Sequence, residues 1–152
     1  MKNQSGLTLL EVTIALAIIL VVISGMLIGN RSSSEYSSLR SAAILLQADM
    51  RYAQRRAITE GRRVGIAFDP AYNRYTIITE RPFSTIRTVY LSDGIHLHET
   101  SHARLIFLPR GTASSAFRLT LRSGTYWQRI TATLSGGQVR IHDIIKEEHD
   151  GT

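Results

Sequence analysis

Residues 7–28 read LTLLEVTIALAIILVVISGMLI, an apolar run interrupted by a single charge, Glu11. As a helix its 22 positions extend about 33 Å, enough to cross a bilayer. The run is apolar all round and has no polar face with which to lie on a soluble core. Residues 29–38 follow, rich in serine with Asn30 and Arg31, and their weak helix propensity predicts a bend or a melted stretch. Helical periodicity then returns. Leu39, Ala43, Leu46, Met50, Ala53 and Ala57 recur in alternating steps of four and three, while Arg40, Gln47, Asp49, Gln54 and Arg55 fall largely elsewhere on the wheel. This predicts an amphipathic helix with one core-facing stripe, terminated by Gly61.

From Arg62 the period changes to two. Val64, Ile66 and Phe68 alternate with Arg63, Gly65 and Ala67, and Asp69-Pro70-Ala71-Tyr72-Asn73 turns the chain into a second strand at 75–79. Further strands are predicted at 88–91, 104–108, 116–122, 129–134 and 138–141, separated by Gly94, Gly111, Gly124 and Gly136-Gly137. The C-terminal part therefore reads as antiparallel β, and the chain as α+β.

Composition adds three constraints. Eighteen Lys+Arg against twelve Asp+Glu give a formal charge of +6, and the only lysines are Lys2 and Lys146, so the surface is arginine-rich. The absence of cysteine excludes a disulfide framework, a thiolate zinc site and a cysteine nucleophile. At 152 residues the chain has room for one modest domain plus an accessory segment.

Glu11 is the anomaly. A carboxylate inside a membrane span costs about 2.5–3.5 kcal/mol, which points to a partner or a local task. The run is longer than the apolar core of a secretory signal peptide, and an ordinary anchor leaves Gly6 and Glu11 unexplained. The residues Gly6, Leu7, Thr8, Leu9, Leu10 and Glu11, behind a short leader with one Lys, resemble the class III signal of type IV prepilins and type II secretion prepseudopilins. That resemblance implies cutting after Gly6 by the prepilin peptidase and methylation of the new N-terminus at Leu7. Leu7 departs from the phenylalanine that the family favours there. Cleavage creates an α-amino cation, and in a low-dielectric bundle of apolar helices that cation needs an anion. Glu11 is the candidate in this segment, and pairing with the Leu7 amine of a neighbouring subunit would fix the register of assembly.

The helix residues Leu46, Arg51, Ala53, Gln54 and Ala57, the segment Phe107-Leu108-Pro109-Arg110-Gly111 and the closing Gly136-Gly137-Gln138-Val139-Arg140-Ile141 resemble the minor pseudopilin H and FimT group. The fold implied is pilin-like α+β: a leader at 1–6, a transmembrane helix at 7–29, an amphipathic helix at 30–61 and an antiparallel β domain at 62–152. The function implied is that of a minor pseudopilin in a type II secretion pseudopilus. Its partners would be the prepilin peptidase, other major and minor pseudopilins or pilins, and inner-membrane lipid, with the C-terminal domain extracytoplasmic and no cofactor. The alternative is a FimT-like minor pilin of a type IV pilus that contacts DNA.

Three constellations remain. Arg118 and Arg122 share a strand face, with Arg129 and Arg140 on the predicted neighbouring strands and Tyr126 and Trp127 at the adjacent turn, which is the composition of a nucleic-acid contact. The competing reading is a solvated face opposite the core residues Phe117, Leu119, Leu121, Ile130, Ala132 and Leu134. Gln138 stands where a second basic residue would be expected, and the acidic tail Glu147, Glu148 and Asp150 opposes phosphate binding. His96 and His98 would share a face if 95–99 is a strand, but a third ligand from His102 needs a loop geometry that the spacing does not supply, so solvated histidines are expected in place of a metal site. No phosphate loop, nucleophile elbow or catalytic triad is legible, and the chain does not read as an enzyme.

Overall fold

The computed structural model describes residues 9–147, with side chains at 25–32 excepted. The chain divides into two compact units, Met1–Ser34 and Glu35–Thr152. One helix, α1 (Leu9–Glu60), contributes to both.

In the first unit Leu16, Ile18, Leu20 and Val21 are exposed, as are the other large apolar residues from Leu9 to Ile23. The two hydroxyls of this stretch bond to the helix itself. Thr13 Oγ1 donates to the Leu10 carbonyl at 2.8 Å and Ser24 Oγ to the Leu20 carbonyl at 2.7 Å, so neither needs water. The melted stretch anticipated across 29–38 is absent, because α1 is helical throughout. Each Gly or Ser costs only tenths of a kcal/mol to about 1 kcal/mol, less than the cost of nucleating a new helix beyond a break.

In the second unit the stripe is as read: Leu39, Ala43, Leu46, Met50, Ala53 and Ala57 are all fully buried. The helix stops at Gly61, whose positive φ of 61° suits a residue without Cβ. Eight strands follow: β1 (Val64–Asp69), β2 (Arg74–Glu80), β3 (Phe83–Tyr90), β4 (Ile95–Thr100), β5 (Arg104–Phe107), β6 (Phe117–Ser123), β7 (Tyr126–Ala132) and β8 (Val139–Lys146). They form two antiparallel sheets ordered β3-β2-β1-β5 and β4-β6-β7-β8. The predicted hairpin is β1–β2, registered Val64 to Thr79. Its turn is a 3-10 turn (Pro70–Tyr72) closed by Asn73 at φ 48°.

The inner faces and the helix stripe make one core, and Phe68 of β1 stacks on Phe117 of β6 with centroids 4.9 Å apart. Asn73 adds a polar tie between the sheets: its Nδ2 donates to the Ile95 carbonyl at 2.6 Å and its Oδ1 accepts from Leu97 N at 3.1 Å. Two expectations need correction. Leu134 lies beyond the end of β7 and is 54% exposed, because alternation had no more strand to act on. Tyr126 and Trp127 are strand residues, since the two-residue turn at Gly124 returns the chain to the ladder at once.

Candidate functional site

Gly6 and Leu7 lie outside the described residues, as do Glu148 and Asp150. Glu11 is on α1 and exposed. Among the described residues no helix is long and apolar enough to cross a membrane. The apolar run of 7–28 extends past the described residues at its start, so the span is taken up below as a proposal.

The four arginines read from sequence do share a face. Arg129 is registered opposite Thr120, Arg118 opposite Thr131 and Arg140 opposite Thr131, which puts all four, with Arg122, on the outer side of the second sheet. They do not form one cluster. Arg122 and Arg129 line a groove of about 370 Å³ with His98, Glu99, Trp127 and Glu147. Arg122 is committed there, donating to Glu147 at 2.9 Å and to the Gly124 carbonyl at 3.1 Å. Arg129 lies over the Trp127 ring, 5.7 Å from its centroid. The groove is thus mixed in sign. His96 and His98 project from β4 into solvent, and His102 Nδ1 lies 3.1 Å from Ser101 Oγ. Among the described residues no three His, Cys, Asp or Glu side chains gather as a metal site.

Arg140 belongs to a second groove that the sequence reading missed. Gln47 and Gln54 stand two helical turns apart on α1, and they fasten the helix to the β8 side of the domain. Gln47 Nε2 donates to the Val139 carbonyl at 3.0 Å, and Gln54 Nε2 to the carbonyls of Gly111 at 2.6 Å and Gly136 at 3.2 Å. Gly137, at φ 59°, lets the Gly111 carbonyl and the Gln54 amide approach so closely that any Cβ would collide with both. The three segments that carried the subgroup resemblance therefore meet at one amide. Arg51, Arg55, Gln138 and Arg140 border this junction and line a groove of about 450 Å³.

A third arrangement was also missed. Asp49, placed off the stripe by periodicity, is 5% exposed. It is buried in company: the Tyr75 hydroxyl donates to Oδ2 at 2.7 Å, and the half-exposed Arg87 pairs with Oδ1. Burial, then the hydrogen bond to Asp49, pushes the Tyr75 hydroxyl well above the usual tyrosine range, with Arg87 opposing. At the helix end, hydrogen bonds from Arg62 and Arg56 hold the Glu60 carboxyl below its usual range.

A long N-terminal helix whose second half packs on two antiparallel sheets defines the pilin and pseudopilin class. The family described as type II transport protein GspH matches residues 42–140, and the prokaryotic N-terminal methylation motif matches residues 1–27. The chain belongs to the GspH family. Its fold is similar to that of the minor pseudopilin EpsH from the type 2 secretion system of Vibrio cholerae: 17% identity, TM-score 0.59, covering 69% of this chain and 96% of that one. It is similar too to the type IV minor pilin FimU of Pseudomonas aeruginosa: 16% identity, TM-score 0.58, covering 72% of this chain and 92% of that one. No curated protein matches.

Proposed function

We propose that the chain is a structural subunit of a type II secretion pseudopilus, a minor pseudopilin that is cut after Gly6, methylated at Leu7 and held in the inner membrane by residues 7–29. The carrying observation is the first unit of α1, whose large apolar side chains from Leu9 to Ile23 are all exposed in the single chain. Only lipid or the apolar helices of other subunits can cover them. The β-bearing unit stands outside the cytoplasm, at the surface or tip of the filament. Glu11 neutralises the amine of a neighbour's Leu7 and sets the axial register.

The test combines intact-mass analysis with assembly. The mature wild type and Glu11→Ala should both begin at a methylated Leu7 and reside in the membrane, while Glu11→Ala fails to crosslink into filaments with its sister pseudopilins. An N-terminus at Met1 in a host with the peptidase sinks the processing; normal incorporation of Glu11→Ala sinks the pairing. The second reading, a type IV minor pilin contacting DNA, rests on Arg118, Arg122, Arg129 and Arg140 sharing a sheet face. Its signature is duplex binding that falls steeply with salt.

A further inference from the structure

The surface holds two grooves with arginines, and their chemistry differs. On the outer side of the second sheet the cations are interleaved with Glu99 and Glu147, and Arg122 is already paired. In the groove between α1 and the start of β8, the lining is Arg51, Gln54, Arg55, Gly136, Gln138, Val139 and Arg140, with no acidic residue. Among the described residues Arg51, Arg55 and Arg140 form no ion pair, whereas six other arginines do. Three arginines thus border one concavity whose lining holds no acidic residue.

The groove is also built. Arg51 lies on the helix between Gln47 and Gln54, and both glutamines are tied to backbone carbonyls across the groove. Arg140 directly follows Val139, whose carbonyl accepts from Gln47. The backbones that carry the arginines are therefore fixed relative to one another, which lowers the entropic cost of gathering them around a ligand.

We propose that this groove is the docking site for a carboxylate-rich segment of a partner protein. Guanidinium groups present planar forks that match carboxylates two bonds at a time. Three of them around about 450 Å³ suit a few adjacent Asp or Glu side chains. Duplex DNA fits the arrangement less well, since it offers phosphates spread along a rod and is met by a long basic track. The sheet face that could prolong such a track carries Glu99 and Glu147. The inference concerns the groove alone and does not depend on the filament reading.

The test uses the full chain in non-ionic detergent and a fluorescein-labelled hexaglutamate peptide, with binding read by fluorescence anisotropy. Saturable binding is expected, and Arg51→Ala with Arg140→Ala should weaken it about tenfold or more. Arg118→Ala with Arg129→Ala removes the same charge outside this groove and should change it less than about twofold. Arg51→Gln with Arg140→Gln keeps the side-chain bulk and must reproduce the loss, which separates docking from folding. Three results overturn the proposal: no saturable binding, equal weakening by the two alanine pairs, or displacement of the peptide by a short DNA duplex or phosphatidylglycerol vesicles at lower concentration than by unlabelled peptide.

Discussion

The two ends of α1 use the same apolar residues under opposite conditions. Leu16 is 55% exposed and Leu46 fully buried, although both are helical leucines. The difference lies in what the chain provides opposite them. Downstream of Glu35 the polar positions between the stripe residues leave one apolar face, and the sheets cover it. Upstream, apolar residues surround the axis, and the large ones from Leu9 to Ile23 are exposed. Amphipathicity is thus the mark of a segment satisfied by its own fold, and uniform apolarity that of a segment satisfied by something else.

The strongest way to break this comparison is to separate the halves. A chain beginning at Ser32 should be soluble without detergent and melt cooperatively, because the whole core lies in the second unit. Aggregation of that chain would mean that the upstream half is needed to complete the core. Next, Leu46→Ala should cost about 2–5 kcal/mol in chemical denaturation, while Leu16→Ala in the full chain stays within about 0.5 kcal/mol. Equal effects would erase the distinction between the halves.

Gly137→Val sharpens the picture at the junction with Gln54. A Cβ there meets the Gly111 carbonyl and the Gln54 side chain, so a loss of about 2 kcal/mol or more is expected. Gly61→Ala has a similar φ but nothing within 4 Å of its Cβ, and it should cost only about 1 kcal/mol. Tyr75→Phe removes one hydrogen bond to a buried carboxylate and should cost about 1.5–3 kcal/mol at neutral pH. It also changes the alkaline limb. Because the folded-state pKa of Tyr75 is raised, its contribution is intact below the unfolded value of 10.0 and is lost as pH climbs above that. Wild-type stability should therefore decline above about pH 10 more steeply than that of Tyr75→Phe.

What the sequence disclosed was whatever periodicity controls. The stripe from Leu39 to Ala57, the stop at Gly61 and the hairpin at Pro70 all depend on neighbours a few positions away. Asp49 escaped the same reasoning because its partners lie 26 and 38 residues downstream, and nothing local distinguishes a buried aspartate from a solvated one. The groove of Arg51, Arg55 and Arg140 escaped for the same reason: the Gln47–Val139 tie that frames it spans 92 residues. Alternation puts Arg118 and Arg122 on one strand face, whereas it takes the register of β7 and β8 to add Arg129 and Arg140 to that face. Alternation carries no sign of which groove each would enter. The serine-rich 29–38 was misread because propensity was weighed without the helices flanking it.

The order of strands has a consequence for how the domain comes into being. The chain lays down β1, β2 and β3 in one sheet, crosses to place β4 in the other, returns to add β5 beside β1, and crosses again for β6. Neither sheet can be completed before the other has begun. The meander of β1 to β3 closes short loops and can form early on the ribosome. Pairing of β5 with β1 must wait for a distant stretch of chain and is entropically slow. The last step of folding is therefore expected to bring β5 to β1 together with the closing of the second sheet.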